Sequence, residues 1–275
     1  MKQRHRNPRL KFQLKLLCLC FAAASCPAAD LPDAPTAQRD IPFDQEFEEG
    51  IRRPRSEAPR RSAIVDWKPI VNQTFALLTM EQGFRMVQPK TRDHLGGRFF
   101  ADWFACVGNL HGWNDGDSAF TNYIGHPIHS SWAAYIEIHN DALGRNLEFE
   151  NSGRYWRSRL RALAWAELYE IQWHIGPISE ASIGHVGRPG THTLGYVNLV
   201  TSAPGGFGWV VLEDWLDRRI VRRQEAGTVD LSKRRVYRML LNPSKAVANL
   251  LRIKKPWFRD SRPIDWVPES MQGKD

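Results

Sequence analysis

The chain of 275 residues is 42% hydrophobic and 25% charged, too polar overall for a protein that crosses a membrane many times. Its formal net charge of +8 includes six cations among residues 1–29, so the remainder is only +2, divided into −6 over residues 30–150 and +8 over 151–275. A basic half of this kind suits phosphates, an anionic membrane surface or the acidic half of the same chain. Nucleic acid is not an expected partner of an exported protein.

Export is the expectation from the first residues. Lys2, Arg4, Arg6, Arg9, Lys11 and Lys15 precede the apolar stretch Leu16 to Ala24, and small residues follow at Ser25, Ala28 and Ala29. A basic start, a short apolar stretch and a small-residue exit form the signal-peptide pattern, and the stretch is too short to span a bilayer as a helix. Residues 1–29 are therefore read as a signal peptide, which places the mature protein in the periplasm or anchored at its membrane face. Ala23-Ala24-Ser25-Cys26 resembles a degenerate lipobox, so Cys26 is either removed or becomes a lipidated first residue. Cys106 is the cysteine inside the domain, and the fold is not expected to depend on a disulfide.

Residues 30–62 carry five prolines and few clustered apolar residues; they read as a disordered tether. A compact domain is expected over 63–255, followed by an extended tail over 256–275. The fold class expected is all-α, a single domain of about six or seven helices. Ile64, Trp67, Val71, Phe75 and Leu78 recur at helical steps, as do Leu95, Phe99, Trp103, Val107 and Leu110. A third helix should start near Pro127 with Ile128, Trp132 and Tyr135 on one face. The fourth and longest should carry Trp156, Leu160, Leu163, Leu168, Ile171 and Ile175 to a stop at Gly176-Pro177. Residues 189–212 hold no formal charge, and Pro204, Gly205, Gly206 and Gly208 predict a kink or tight turn between two apolar helices. Asn242-Pro243 should open a last helix, with Asn as cap.

Two polar segments are candidate sites. Asp115, Asp117, Asn122 and His126 lie between two apolar helices, where turn residues and titratable groups could meet substrate. Glu170 and His174 share a helix face at four-residue spacing, suited to metal ligands or an acid/base pair, and Glu180 and His185 follow. No HExxH, paired CxxC, EF-hand, P-loop or dinucleotide motif is present, and no cofactor is expected. The basic run Arg218, Arg219, Arg222, Arg223, Lys233, Arg234, Arg235 and Arg238 reads as a solvated face.

Asn-Tyr-x-Gly-His-Pro at 122–127, the helix with Trp165 and Glu170 ending in Gly176-Pro177, Ser179-Glu180 and Leu241-Asn242-Pro243 together resemble a family of exported bacterial proteins of unknown function. The resemblance spans about residues 64–255 and implies that Asn122, His126, Glu170, Glu180 and Asp214 belong together. The leading expectation is an envelope-associated helical protein docking on an anionic membrane surface or an envelope protein. The alternative is an exported hydrolase or lipid-modifying enzyme, with His126 as general base among Asp115, Asp117, Glu170, Glu180 and His185.

Overall fold

A computed structural model describes residues 65–190 and 193–265. The expected signal peptide, the tether, Cys26 and the tail beyond 265 lie outside the described residues. The described part is helical without strands, in the order α1 (Trp67–Met86), α2 (Pro89–Arg92), α3 (Phe99–Gly108), α4 (His126–Asn140), α5 (Gly153–Ile175), α6 (Tyr196–Leu216), α7 (Arg222–Ala226), α8 (Leu231–Leu240) and α9 (Pro243–Leu251). Two π-helical turns, Thr121–Gly125 and Asp217–Val221, lead directly into α4 and α7.

Helix α4 is the centre of the packing, with α1, α5, α6 and α9 around it. Its residues Ala133 to Ile138 meet Ile70 and Leu77 of α1, Ala162, Ala166 and Tyr169 of α5, and Val210 of α6 in one apolar core. Much of this core is alanine, serine and glycine, so the helices approach closely. A β-carbon on Gly206 would stand 2.8 Å from Ser130 Cβ, and one on Gly205 would stand 2.7 Å from Pro127 Cγ.

That contact corrects one expectation. The apolar segment does not divide at Pro204: α6 is continuous across it. Proline and glycine ordinarily break helices, but here the glycines remove side chains where α4 crosses, and packing outweighs their poor helix propensity. The end of α6 also caps α9. The Glu213 carboxylate accepts from the backbone N–H groups of Ser244 (2.9 Å) and Lys245 (3.1 Å), while the Asn242 side chain donates instead to the Glu213 carbonyl at 2.8 Å. The expected asparagine side-chain cap is thus replaced by a carboxylate from a neighbouring helix.

A smaller apolar cluster holds α3. Cys106 and Leu110 pack with Ala181 and Leu194, joined by Trp103, Ile175 and Val186. Trp103 Nε1 donates to the Ile175 carbonyl at 3.0 Å, which ties α3 to the last residue of α5.

The basic run is not uniformly solvated. Arg234 and Arg238 are buried. Arg238 pairs with Glu225, which also receives Arg262 at 2.6 Å, and Arg238 donates to the carbonyls of Trp257 and Arg262. Arg259 donates to Asn242 Oδ1 at 2.7 Å. These guanidiniums bind residues 257–264 onto α8 and the Asp217–Val221 turn, because each can satisfy several carbonyls and carboxylates at once.

Candidate metal centre

The α4–α5 crossing brings imidazoles and carboxylates together. The π-turn at Thr121–Gly125 delivers His126 as the first residue of α4, and His129 follows three residues later on the same face. Glu170 and His174 lie on the facing side of α5, both buried. Glu180 comes from the segment after α5, held there by its backbone N–H donating to the Trp173 carbonyl at 2.9 Å. Glu81 enters from α1.

His126, Glu170 and His174 each offer a ligand atom, and these atoms lie within 4.8 Å of one another. Glu170 is central. Its Oε2 is 3.4 Å from His174 Nε2, and its Oε1 is 3.4 Å from His129 Nδ1. All four atoms are buried, and both contacts are ion pairs longer than a good hydrogen bond. The spacing would also suit a metal ion: with bonds of about 2.1 Å, neighbouring ligands on a tetrahedral ion stand roughly 3.4 Å apart.

The far nitrogens of both rings are engaged. His174 Nδ1 donates to Glu180 Oε1 at 2.6 Å. His129 Nε2 contacts Glu81, which also accepts from the Tyr169 hydroxyl. A carboxylate behind an imidazole fixes the ring and raises the basicity of the nitrogen that faces a metal. Together these contacts orient His174 Nε2 and His129 Nδ1 towards Glu170.

Electrostatics agree with that picture. Burial, with the charge of His174 nearby, pushes His126 down to about 4, so its ring is a neutral donor at physiological pH. Burial also opposes protonation of His129 and His174. Glu81 and Glu170 reverse that for His129, Glu180 and Glu170 for His174, and both rise to about 10. Glu170 and Glu180 are held down at about 2 despite burial, by His129 and His174 for the first and chiefly by His174 for the second. Without a metal, protons on the two rings neutralise the carboxylates. A cation would take their place.

Other residues singled out from the sequence go elsewhere. Asp115 accepts from Asn122 Nδ2 (2.9 Å), Asn198 Nδ2 (2.6 Å) and the Asp117 backbone N–H (3.0 Å). It clamps the π-turn to the start of α6. Asn122 is buried in this clamp, and the Asp117 side chain lies at an exposed turn. His185, at φ 51°, has its ring beside Gly97. Asp214 sits in a separate buried network with Arg159 (2.8 Å), Lys245 (3.1 Å) and Tyr155 (3.1 Å). Of the seven candidates, His126, Glu170 and Glu180 converge.

His129, Glu81 and Tyr169 were missed. The spacing His126-x-x-His129 was the available signal, since positions three apart share a helix face; nothing in the sequence pairs Glu81 with it across 48 residues. Comparison of the chain with protein-family models, curated proteins and solved structures finds no match, so the family resemblance rests on the quoted motifs alone.

Proposed function

We propose that this protein is a metal-dependent hydrolase whose ion is held by His126, Glu170 and His174, with zinc the first candidate. The observation that carries the reading is the convergence of His126, Glu170 and His174, whose ligand atoms lie within 4.8 Å of one another. Two histidines and one carboxylate suit Zn(II), and three protein ligands leave a position for water, as catalytic zinc sites do. Held there, the ion would supply Lewis-acid activation of water near neutral pH. Glu180 keeps His174 oriented and retains 17% of its side-chain surface, a route by which it could pass a proton to solvent. Zinc-loaded full-length protein should hydrolyse activated carboxylic or phosphoric esters. Chelation and Glu170→Gln should each abolish the activity. Equal activity of the Glu170→Gln variant would refute this reading.

A second reading has an observation of its own. Phe99, Phe100 and Phe104 of α3 are 43%, 67% and 63% exposed, and the exposed Arg92 and Arg98 precede them. This pattern favours association with an anionic membrane surface, which is compatible with export. Among the described residues, no helix is long and apolar enough to cross a membrane. Flotation with anionic vesicles tests it: Phe100→Glu with Phe104→Glu should release the protein, and unchanged flotation would count against the surface.

A further inference from the structure

We propose that a second site, at the other end of α4 from His126, binds the phosphate group of a phosphomonoester. His126 begins α4 and His139 stands next to its last residue, roughly 20 Å further along the axis at about 1.5 Å per residue. The site is thus separate from the His126–Glu170–His174 centre and does not depend on the hydrolase reading. A cleft of about 480 Å³, counting its open mouth, lies where the end of α4 meets Lys245 of α9, Arg145 of the Gly144–Asn146 turn and residues 258–261. Its size is that of a small-molecule site.

The charge of the cleft selects an anion. Five cations line it, Arg145, Arg159, Lys245, Arg252 and Arg259, against four carboxylates, Glu148, Asp214, Asp217 and Asp260. Two of these carboxylates are also engaged from outside the cleft: Arg222 donates to Glu148 at 2.7 Å, and Arg262 reaches Asp217 at 3.3 Å. A positive excess remains inside. Arg159 and Arg259 are committed to carbonyls and carboxylates of the fold. Three other cations keep donors for a ligand. The exposed Arg145 side chain has no partner among the described residues. Lys245 gives one N–H to Asp214 at 3.1 Å. Arg252 spends Nε and Nη2 on Asn249 and Asp260, and its Nη1 makes no hydrogen bond among the described residues.

His139 is the independent observation. It lines the cleft at 6% exposure, stacked on Tyr135 with ring centroids 5.7 Å apart. Its Nδ1 is buried without a partner, an arrangement that costs free energy unless a ligand or water supplies one. Burial, then the charges of Arg252, Lys245, Arg259 and Arg159, holds the ring far below the ordinary histidine value, so it is neutral. The four charges that act on it most strongly are all cations, which repel a metal ion and one another. An anion relieves that repulsion, and the neutral ring has one N–H to donate to it. A phosphomonoester presents three acceptor oxygens and about two negative charges, enough for the ring, the ammonium and the guanidiniums together, and arginine matches phosphate geometry in particular.

Calorimetric titration of the chelated full-length protein tests the site, chelation keeping phosphate away from any ion at Glu170. Inorganic phosphate and glycerol phosphate form one arm, vesicles containing phosphatidic acid the other. Saturable binding in the first arm supports a soluble phosphomonoester; binding in the second alone supports a lipid headgroup. Arg145→Ala should weaken binding about 10-fold, the loss of one charge-assisted contact, without lowering the melting temperature in phosphate-free buffer. Arg154→Ala, which removes an exposed arginine outside the cleft, should leave the affinity unchanged. Phosphate should also shift the imidazole nitrogen resonances of His139. No saturable binding in either arm would overturn the site. So would equal losses in the two arginine variants, undiminished binding by Arg145→Ala, or His139 resonances that phosphate leaves in place.

Discussion

Among single residues, Glu170 matters more than any motif. Its carboxylate is fully buried between two imidazoles, and these are fixed in turn by Glu81 and Glu180. Glu180→Gln should reduce zinc affinity about 10- to 100-fold, since the carboxylate behind a metal-binding histidine typically contributes that much; competition with a chromogenic chelator measures it. The metal-free protein should also have a characteristic pH profile. His129 and His174 are raised to about 10, so their stabilisation is complete below the ordinary histidine value and is lost as pH rises through 10. Glu170 and Glu180 are held at about 2, so theirs is present above the ordinary glutamate value and lost as pH falls through 2. Chelated protein should therefore melt highest in mildly acidic solution, between the ordinary carboxylate and histidine values. Zinc should move that maximum upward, because the ion replaces the protons. A melting profile unchanged by zinc at pH 8 would contradict this.

At the scale of helices, the centre depends on how closely α4 lies against its neighbours. Gly206 admits α4 to α6, and a methyl group there would meet Ser130 Cβ at 2.8 Å and the Pro127 carbonyl at 2.9 Å. Gly206→Ala should destabilise the fold by about 1–3 kcal/mol, the usual cost of overpacking. It should also weaken zinc binding, because Pro127 is adjacent to His126. Gly208, inside α6 with open space where its side chain would be, is the control: Gly208→Ala should stabilise the helix by up to about 1 kcal/mol and leave zinc binding unchanged. Denaturant unfolding and metal titration of the two variants make the comparison.

Those same helices show what was legible in the sequence. The periodicity of Ile128, Trp132 and Tyr135, and of Leu160, Leu163 and Ile171, announces α4 and α5, and Glu170 with His174 is visible as a pair because helical spacing is local. The continuity of α6 was not legible, since its glycines are explained by the surface of α4 and not by their own segment. The pairing of Glu81 with His129 was hidden for a similar reason: it is made by tertiary packing between residues distant in sequence. Asp115 had the chemistry of a catalytic group, but Asn122 and Asn198 occupy it.

Across the described residues, several guanidiniums act inward. Arg159 is buried on Asp214, and Arg238 on Glu225, while Arg154, Arg157, Arg219 and Arg223 stay exposed. Arg238→Ala would leave Glu225 with Arg262 and free carbonyls of Trp257 and Arg262. Breaking a buried pair of this kind typically costs about 3–5 kcal/mol, measurable as a fall in thermal stability. Arg235→Ala should cost less, its guanidinium resting against the Trp257 ring at 5.0 Å rather than in a buried pair.

Hydrolysis at this site would require an ion bound beside Glu170. Anomalous diffraction at the zinc edge, from crystals of the zinc-loaded protein, tests it most directly. A peak is expected within bonding distance of Glu170, His174 and His126, with the Glu180–His174 hydrogen bond intact. Absence of a peak there, with Glu170 simply ion-paired to protonated histidines, would contradict it.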